Sequence, residues 1–350
     1  MVDETKLNAF IGKILGDLGG AFSVPMVRMG DKLGLYKALN EQGPMTPTEL
    51  AAKTNVAERY TREWLSHQAA SGYLEYEPTT GKFTLPPEQA MVFAEPDSPV
   101  YLQAAFDMQA VMLENQPKVE AAFRSGKGVG WGDQAPCLFC TTGRFFRTGY
   151  HTNLVASWLP ALDGVVTKLE HGAAVADVGC GHGFSTIIMA KAFPKSTFIG
   201  YDFHPASVEQ ARVHAEQHGA TNTKFEVAMA SDFPGKDLDL VTFFDCLHDM
   251  GDPVGAARHV RETLKPDGNW MIVEPAAGDR LEDNLNPVSR MFYAGSTMVC
   301  IPTSLDQPVG AAFGAQAGFG KLSSAITQGG FGKVRKATET PFNMVLEARP

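Results

Sequence analysis

The chain has 350 residues, 44% of them apolar, which is room for two domains with real cores and excludes a disordered or fibrous protein. Thirty Lys and Arg against 39 Asp and Glu give a net charge of −9, which opposes unspecific attraction to nucleic acid or anionic lipid and leaves small molecules as the expected partners. Five cysteines, an odd number, fit a reducing compartment better than a disulfide framework; the start, Met-Val-Asp-Glu-Thr-Lys, is acidic and no 18 consecutive apolar residues occur, so a cytoplasmic protein without a membrane anchor is expected.

Taken in order, Leu7, Phe10, Ile11, Ile14, Leu15 and Leu18 recur at the spacing of one helix face. This amphipathic helix needs a cover, either its own domain or the same helix of a second subunit, and a homodimer is the expectation. A second apolar helical run follows from Phe22 to Leu39. Thr46-Pro47-Thr48-Glu49 is a capping box with proline at the first helical position, and Asn55 with Glu58 marks a further start, of a helix over 56–71 that stops at Gly72. Two short strand patterns, 73–76 and 82–85, flank a Pro78–Gly81 turn. Helix, turn, helix and hairpin make a winged helix over residues 1–100.

A winged helix raises DNA binding, and with it a transcriptional regulator. Yet residues 1–100 hold 9 basic and 13 acidic residues, and Arg59 and Arg62 are interleaved with Glu58 and Glu63. A DNA reader neutralises several phosphates with a basic stripe, so an architectural, dimerising domain is expected instead and no nucleic-acid partner.

Residues 101–172 read as a mainly helical linker and lid. The loop Ser125-Gly-Lys-Gly-Val-Gly-Trp131-Gly-Asp, rich in glycine around one indole, is of the kind that covers sites. Phe139, Phe145, Phe146, Tyr150, His151 and Trp158 follow, and a helix is expected over 158–169. Cys137 and Cys140 form a lone C-x-x-C without the second pair a zinc site needs, so no metal is expected.

From residue 173 strands and helices alternate: strands at 173–178, 197–201, 224–227, 238–244 and 270–274, with helices at 184–193, 205–218 and 253–264, the sequence of a doubly wound parallel sheet. Pro275 to Phe319 has no clear period and reads as a pocket-forming insertion. A helix over 321–327 and two strands near 333–337 and 343–348 end the chain.

The first of those strands runs into Asp177-Val-Gly179-Cys-Gly181-His-Gly183, a turn that lets a ligand lie against the backbone beside the free N–H groups of the next helix. A dinucleotide loop wants G-x-G-x-x-G, and Phe184 stands where its third glycine belongs, which argues against NAD. Nineteen residues past Gly183 the second strand ends in Asp202, where an α/β nucleoside site puts the acid that binds ribose hydroxyls. The third runs into Asp232-Phe233, an acid and an aromatic ring suited to an adenine.

This loop, with Asp202 and Asp232-Phe233, resembles the cofactor motifs of class I S-adenosylmethionine (SAM) methyltransferases. The whole chain is similar to two-domain small-molecule O-methyltransferases with an N-terminal winged-helix dimerisation domain. The resemblance implies a Rossmann-like seven-stranded sheet over 173–350. It implies SAM as cofactor, with Asp177, Gly179, Gly181 and Gly183 at its methionine end, Asp202 at its ribose, and Asp232 with Phe233 at its adenine. In the plant-type relatives a His-Asp-Trp follows the fourth strand and its histidine is the general base; here His248-Asp249-Met250 keeps two of the three. His248 is therefore the expected catalytic base, with Asp249 a candidate to orient it. A small hydroxylated or aromatic acceptor is implied, with C- or N-methylation, or a SAM-sensing regulator, as the alternatives.

Overall fold

A computed structural model describes residues 1–350, and the chain packs as two units, Met1–Val111 and Met112–Pro350, divided inside one helix. In the first unit, helix α1 (Glu4–Lys32) begins at Asp3, whose carboxylate accepts the N–H groups of Thr5 and Lys6. The two helices expected here are one: Gly19 and Gly20 stay helical, Pro25 is accommodated inside, and the stop comes only at Gly34, in the left-handed region at φ 67°. Helices α2 (Leu35–Gln42), α3 (Pro47–Thr54) and α4 (Glu58–Ala70) follow. Thr46 and Glu49 make the predicted reciprocal cap of α3. Asn55 differs from expectation, because it closes α3 at φ 55° rather than opening α4.

The wing is the antiparallel pair β1 (Glu75–Glu77) and β2 (Lys82–Thr84), followed by α5 (Pro87–Phe93) and α6 (Gln103–Ser125). Tyr36 centres this unit's core, 5.0 Å from both Trp64 and Phe93, with its hydroxyl donating to Gln68. The start of α1 is left out of that core: Leu7, Phe10, Ile11, Ile14, Leu15, Leu18 and Phe22 are each 38–71% exposed. By length and composition α1 could also cross a membrane, with mean hydropathy 1.3.

In the second unit come α7 (Cys137–Asn153) and α8 (Val165–His171). The helix expected over 158–169 is broken into a π turn (Leu154–Trp158), a 3-10 turn (Leu159–Ala161) and α8. Pro160 lacks the N–H a helix would use, and Gly164, at φ 73°, restarts the chain. The sheet and its helices are β3 (Ala174–Val178), α9 (Phe184–Ala192), β4 (Thr197–Asp202), α10 (Pro205–Gln217), β5 (Thr223–Val227), β6 (Leu238–Phe244), α11 (Pro253–Thr263) and β7 (Leu264–Pro275). The insertion holds α12 (Pro287–Gly295), a π turn (Ser296–Cys300) and α13 (Ile301–Leu305); α14 (Gly318–Gln328), β8 (Lys333–Glu339) and β9 (Asn343–Arg349) end the unit.

Seven strands lie in the order β5-β4-β3-β6-β7-β9-β8, the first five parallel and β9 antiparallel to both its neighbours. Alternate residues serve opposite faces, so Leu240, Met271 and Val273 enter one core while Val241, Trp270 and Ile272 enter the other. Both faces are thus covered. From β3 the chain builds outward to β4 and β5, then returns to β6 on the other side. The carboxyl ends of β3 and β6 therefore flank the point where ligands of such sheets bind.

Candidate active site

At that point lies a cavity of about 290 Å³, walled by the Gly179–Gly181 backbone, by Asp202 at the end of β4, and by the loop after β6. The loop after β3 is held from two sides. Gly179 and Cys180 donate to the Tyr201 carbonyl at 2.8 and 3.0 Å, and Gly181 N–H donates to Asp202 Oδ2 at 2.9 Å. Asp202 Oδ1 accepts from His204 N–H at 2.9 Å, so one carboxylate clamps the ends of β3 and β4. Burial pushes its pKa up, and these two bonds restrain the rise.

Asp177 sits beneath this loop and off the cavity wall. It is fully buried and accepts from Ser185, Thr186 and Thr242 at 2.7, 2.6 and 3.0 Å, tying β3 to α9 and β6. Desolvation lifts its carboxyl to about 6 against the pull of those hydroxyls. Gly179 and Gly181 line the cavity; Gly183 instead turns toward Phe225 and Ala211.

Asp232 and Phe233 depart from the sequence expectation. Phe233 is 1% exposed and packs between Tyr201 and His259 at 5.3 and 4.6 Å, while Asp232 is exposed and accepts only the Met229 N–H of its own turn. The chain dips inward one residue past the bend, so Met229, Ala230 and Ser231 form the wall there. The glycine-rich loop does reach the cavity through Trp131, whose ring lies 5.4 Å from Phe139; Val129 N–H fastens that loop to the Pro302 carbonyl at 3.0 Å. Phe146, Tyr150 and Phe184 extend the aromatic side.

After β6, Asp245 adopts φ 51°, a strained value for a residue with a side chain. Its Oδ1 accepts from Asn343 at 2.8 Å, and its Oδ2 is buried with no hydrogen-bond partner in the protein. Asp202, Asp245, Asp249 and Asp252 all reach the wall, and no lysine or arginine does. Burial lifts Asp249 to about 7 and Asp245 well above the carboxylate range. An unpaired buried carboxyl oxygen of Asp245 beside three further acids fits a compact cation, and the surface of the glycine loop, free of side chains at Gly179 and Gly181, fits a ligand lying flat on it. The donor set therefore suits a sulfonium nucleoside such as SAM and opposes a pyrophosphate.

His248 lies just behind the wall, on the 3-10 turn Leu247–Asp249, and is 4% exposed. Glu274, at the end of β7, orients it: Oε2 is 2.5 Å from Nδ1, while Oε1 accepts Leu247 N–H at 2.9 Å. Asp249, the orienting candidate from sequence, faces the cavity instead. Burial disfavours a charged ring, but Glu274 beside it prevails and holds the imidazole well above its usual range. Nε2 meets the thiol of Cys300 at 3.3 Å. Sequence reading missed Glu274, whose only signal was an acid ending a strand, and Cys300, which carried none.

Residues 169–329 match the methyltransferase domain family, and residues 21–95 match the Rv2258c-like winged HTH domain. The release factor glutamine methyltransferase of Geobacter sulfurreducens is 25% identical over 179 residues, 44% of this chain and 62% of that protein. A ubiquinone biosynthesis O-methyltransferase of Cereibacter sphaeroides is 34% identical over 101 residues, 28% of this chain and 39% of that one. The chain thus spans roughly two- to three-fifths of the length of these relatives. Among solved structures, human N-acetylserotonin methyltransferase in complex with SAM superposes with TM-score 0.69 at 17% identity, covering 97% of both chains. The mitomycin 7-O-methyltransferase MmcR does so with TM-score 0.64 at 20% identity, covering 99% and 100%. At such identities the likeness establishes the fold. The chain is a winged helix-turn-helix domain followed by a methyltransferase domain of the class I fold.

Proposed function

We propose that the chain is a SAM-dependent methyltransferase of a small, aromatic hydroxylated acceptor, working by O-methylation in the cytoplasm as a homodimer. The observation that carries this is the acidic cavity at the carboxyl ends of β3, β4 and β6, with Asp245 Oδ2 buried and unpaired at its wall. SAM supplies a methyl group on a cationic sulfur. Gly179 and Gly181 let the ligand lie against a surface without side chains, Asp202 stands at the ribose position, and a cation arriving beside Asp245 and Asp249 draws these lifted carboxyls back toward their charged forms.

Methyl transfer is an in-line displacement that calls mainly for alignment and a dry site. Phe146, Tyr150, Phe184 and Trp131 give flat apolar walls for an aromatic acceptor and keep water out. His248, oriented by Glu274, takes the acceptor's hydroxyl proton at Nε2 once the Cys300 thiol turns aside from that nitrogen and admits the acceptor; Glu274 then stabilises the imidazolium. The ring must be neutral to do so. Since Glu274 raises its pKa, the active fraction grows with pH.

For the dimer, α1 supplies an uncovered apolar face, with Leu7, Ile11, Ile14, Leu18 and Phe22 along one side of the helix for a second copy to cover. Against a DNA partner, Arg59 pairs with Glu63 at 2.6 Å and Arg62 with Glu58 at 2.5 Å, so both cations of α4 are already engaged. Incubation with methyl-labelled SAM and a panel of phenols, catechols, amines and thiols tests the reading. Label on a phenolic oxygen is expected; label confined to nitrogen or carbon, or no transfer to any acceptor, overturns the O-methyltransferase assignment.

A further inference from the structure

Cys300 ends the π turn Ser296–Cys300, an irregularity that recurs at functional positions. Its Sγ is 3.3 Å from His248 Nε2, and His248 Nδ1 is 2.5 Å from Glu274 Oε2. Sulfur, imidazole and carboxylate in line are the parts of an activated nucleophile, its base and the group that orients the base. The two supporting members are fixed: Glu274 is 1% exposed with its second oxygen on Leu247 N–H, and His248 is 4% exposed. Cys300 itself is partly exposed, unlike the buried Cys180.

We propose that Cys300 is a site of covalent modification by soft carbon electrophiles, its thiol giving its proton to His248 Nε2 while Glu274 holds the imidazolium. With a haloacetamide, the thiolate pair forms the S–C bond, the carbon–halogen bond breaks and halide leaves, the proton remaining on His248. The groups that face the pair are Glu274 from β7, Asp245 and Asp249 from the loop of His248 itself, and Tyr150 from α7, which interacts with Glu274 and Asp245. Of these, Glu274, hydrogen-bonded to Nδ1, favours the charged ring. This inference needs neither cofactor nor acceptor, so it stands or falls apart from the methyl-transfer reading.

The chain carries its own controls, Cys137 and Cys140, exposed on the first turn of α7. A histidine beside a thiol favours its thiolate, and the helix start that carries Cys137 and Cys140 does so to a smaller degree, which makes them demanding comparisons; lower nucleophilicity and partial burial trim the advantage of Cys300. Full-length protein treated with limiting iodoacetamide at pH 6.5 and mapped by peptide mass should show Cys300 alkylated at least about 10-fold faster than Cys137 or Cys140. Raising the pH to 9 should shrink the ratio toward one. Glu274→Gln and His248→Asn should each bring Cys300 down at pH 6.5 while Cys137 and Cys140 keep their rates and the buried Cys180 stays protected, which reports that the fold survives. Cys300 reacting no faster than the exposed pair, failing to react, or keeping its rate in both variants would overturn the proposal.

Discussion

The glycine loop allows fold and ligand binding to be separated by two alanine substitutions two residues apart. Gly183 has φ 78°, and a Cβ there would stand 2.8 Å from Phe225 Cε1 and 3.0 Å from Ala211 Cβ. Left-handed strain of about 1–2 kcal/mol adds to overpacking of about 1–3 kcal/mol, so Gly183→Ala should destabilise by about 2–5 kcal/mol. Gly181 has φ 51° but open space where its Cβ would point, and it lines the cavity. Gly181→Ala bears only the strain of about 1–2 kcal/mol, and its methyl group meets nothing but a bound ligand. Urea unfolding and calorimetry with S-adenosylhomocysteine (SAH) read the two effects. Gly181→Ala should stay folded and lose at least about 10-fold in SAH affinity, a penalty of about 1.4 kcal/mol. The reasoning is refuted if Gly181→Ala binds SAH normally, or if it loses as much stability as Gly183→Ala.

Other consequences are equally open to measurement. Asp177, lifted from its ordinary range to about 6 in the fold, holds a proton that the unfolded chain has released, so its contribution to stability falls as pH rises from about 4 to 6. The shift is worth about 3 kcal/mol, and Asp177→Asn should remove that part of the slope of unfolding free energy against pH. Methyl transfer should rise with pH through an inflection well above 6.5, the ordinary histidine value, and Glu274→Gln should move the inflection down; a flat profile excludes His248 as the base. Deleting residues 1–20 should convert a dimer seen by light scattering to monomer or aggregate. An unchanged dimer refutes the role of α1, and flotation of the intact chain with lipid vesicles would assign that face to a membrane.

What the sequence disclosed and what it hid divide along contact range. The strands of the sheet were legible because runs such as Leu238–Phe244 are apolar on both faces, and the bounds of β6 match expectation to the residue. The Thr46 capping box and the turn after β3 are likewise local, written in residues three or four apart. Errors arose where neighbours elsewhere decide. Strand β7 starts six residues early because Leu264 pairs with Leu238, an alignment that the Lys-Pro-Asp-Gly run conceals. Phe233 looked like a ring for a ligand and became core against Tyr201 and His259. The partners of His248 come from 26 and 52 residues away, so no spacing rule could bring Glu274 and Cys300 to it.

The central claim is that the cavity between β3, β4 and β6 is built for a sulfonium nucleoside, and titration calorimetry of the intact chain with SAM, SAH and NAD tests it most directly. The account predicts micromolar dissociation constants for SAM and SAH, a binding free energy of about 8 kcal/mol, and no heat with NAD. Asp202→Ala should weaken SAH by about 1–3 kcal/mol. Binding of NAD without SAM or SAH would contradict it.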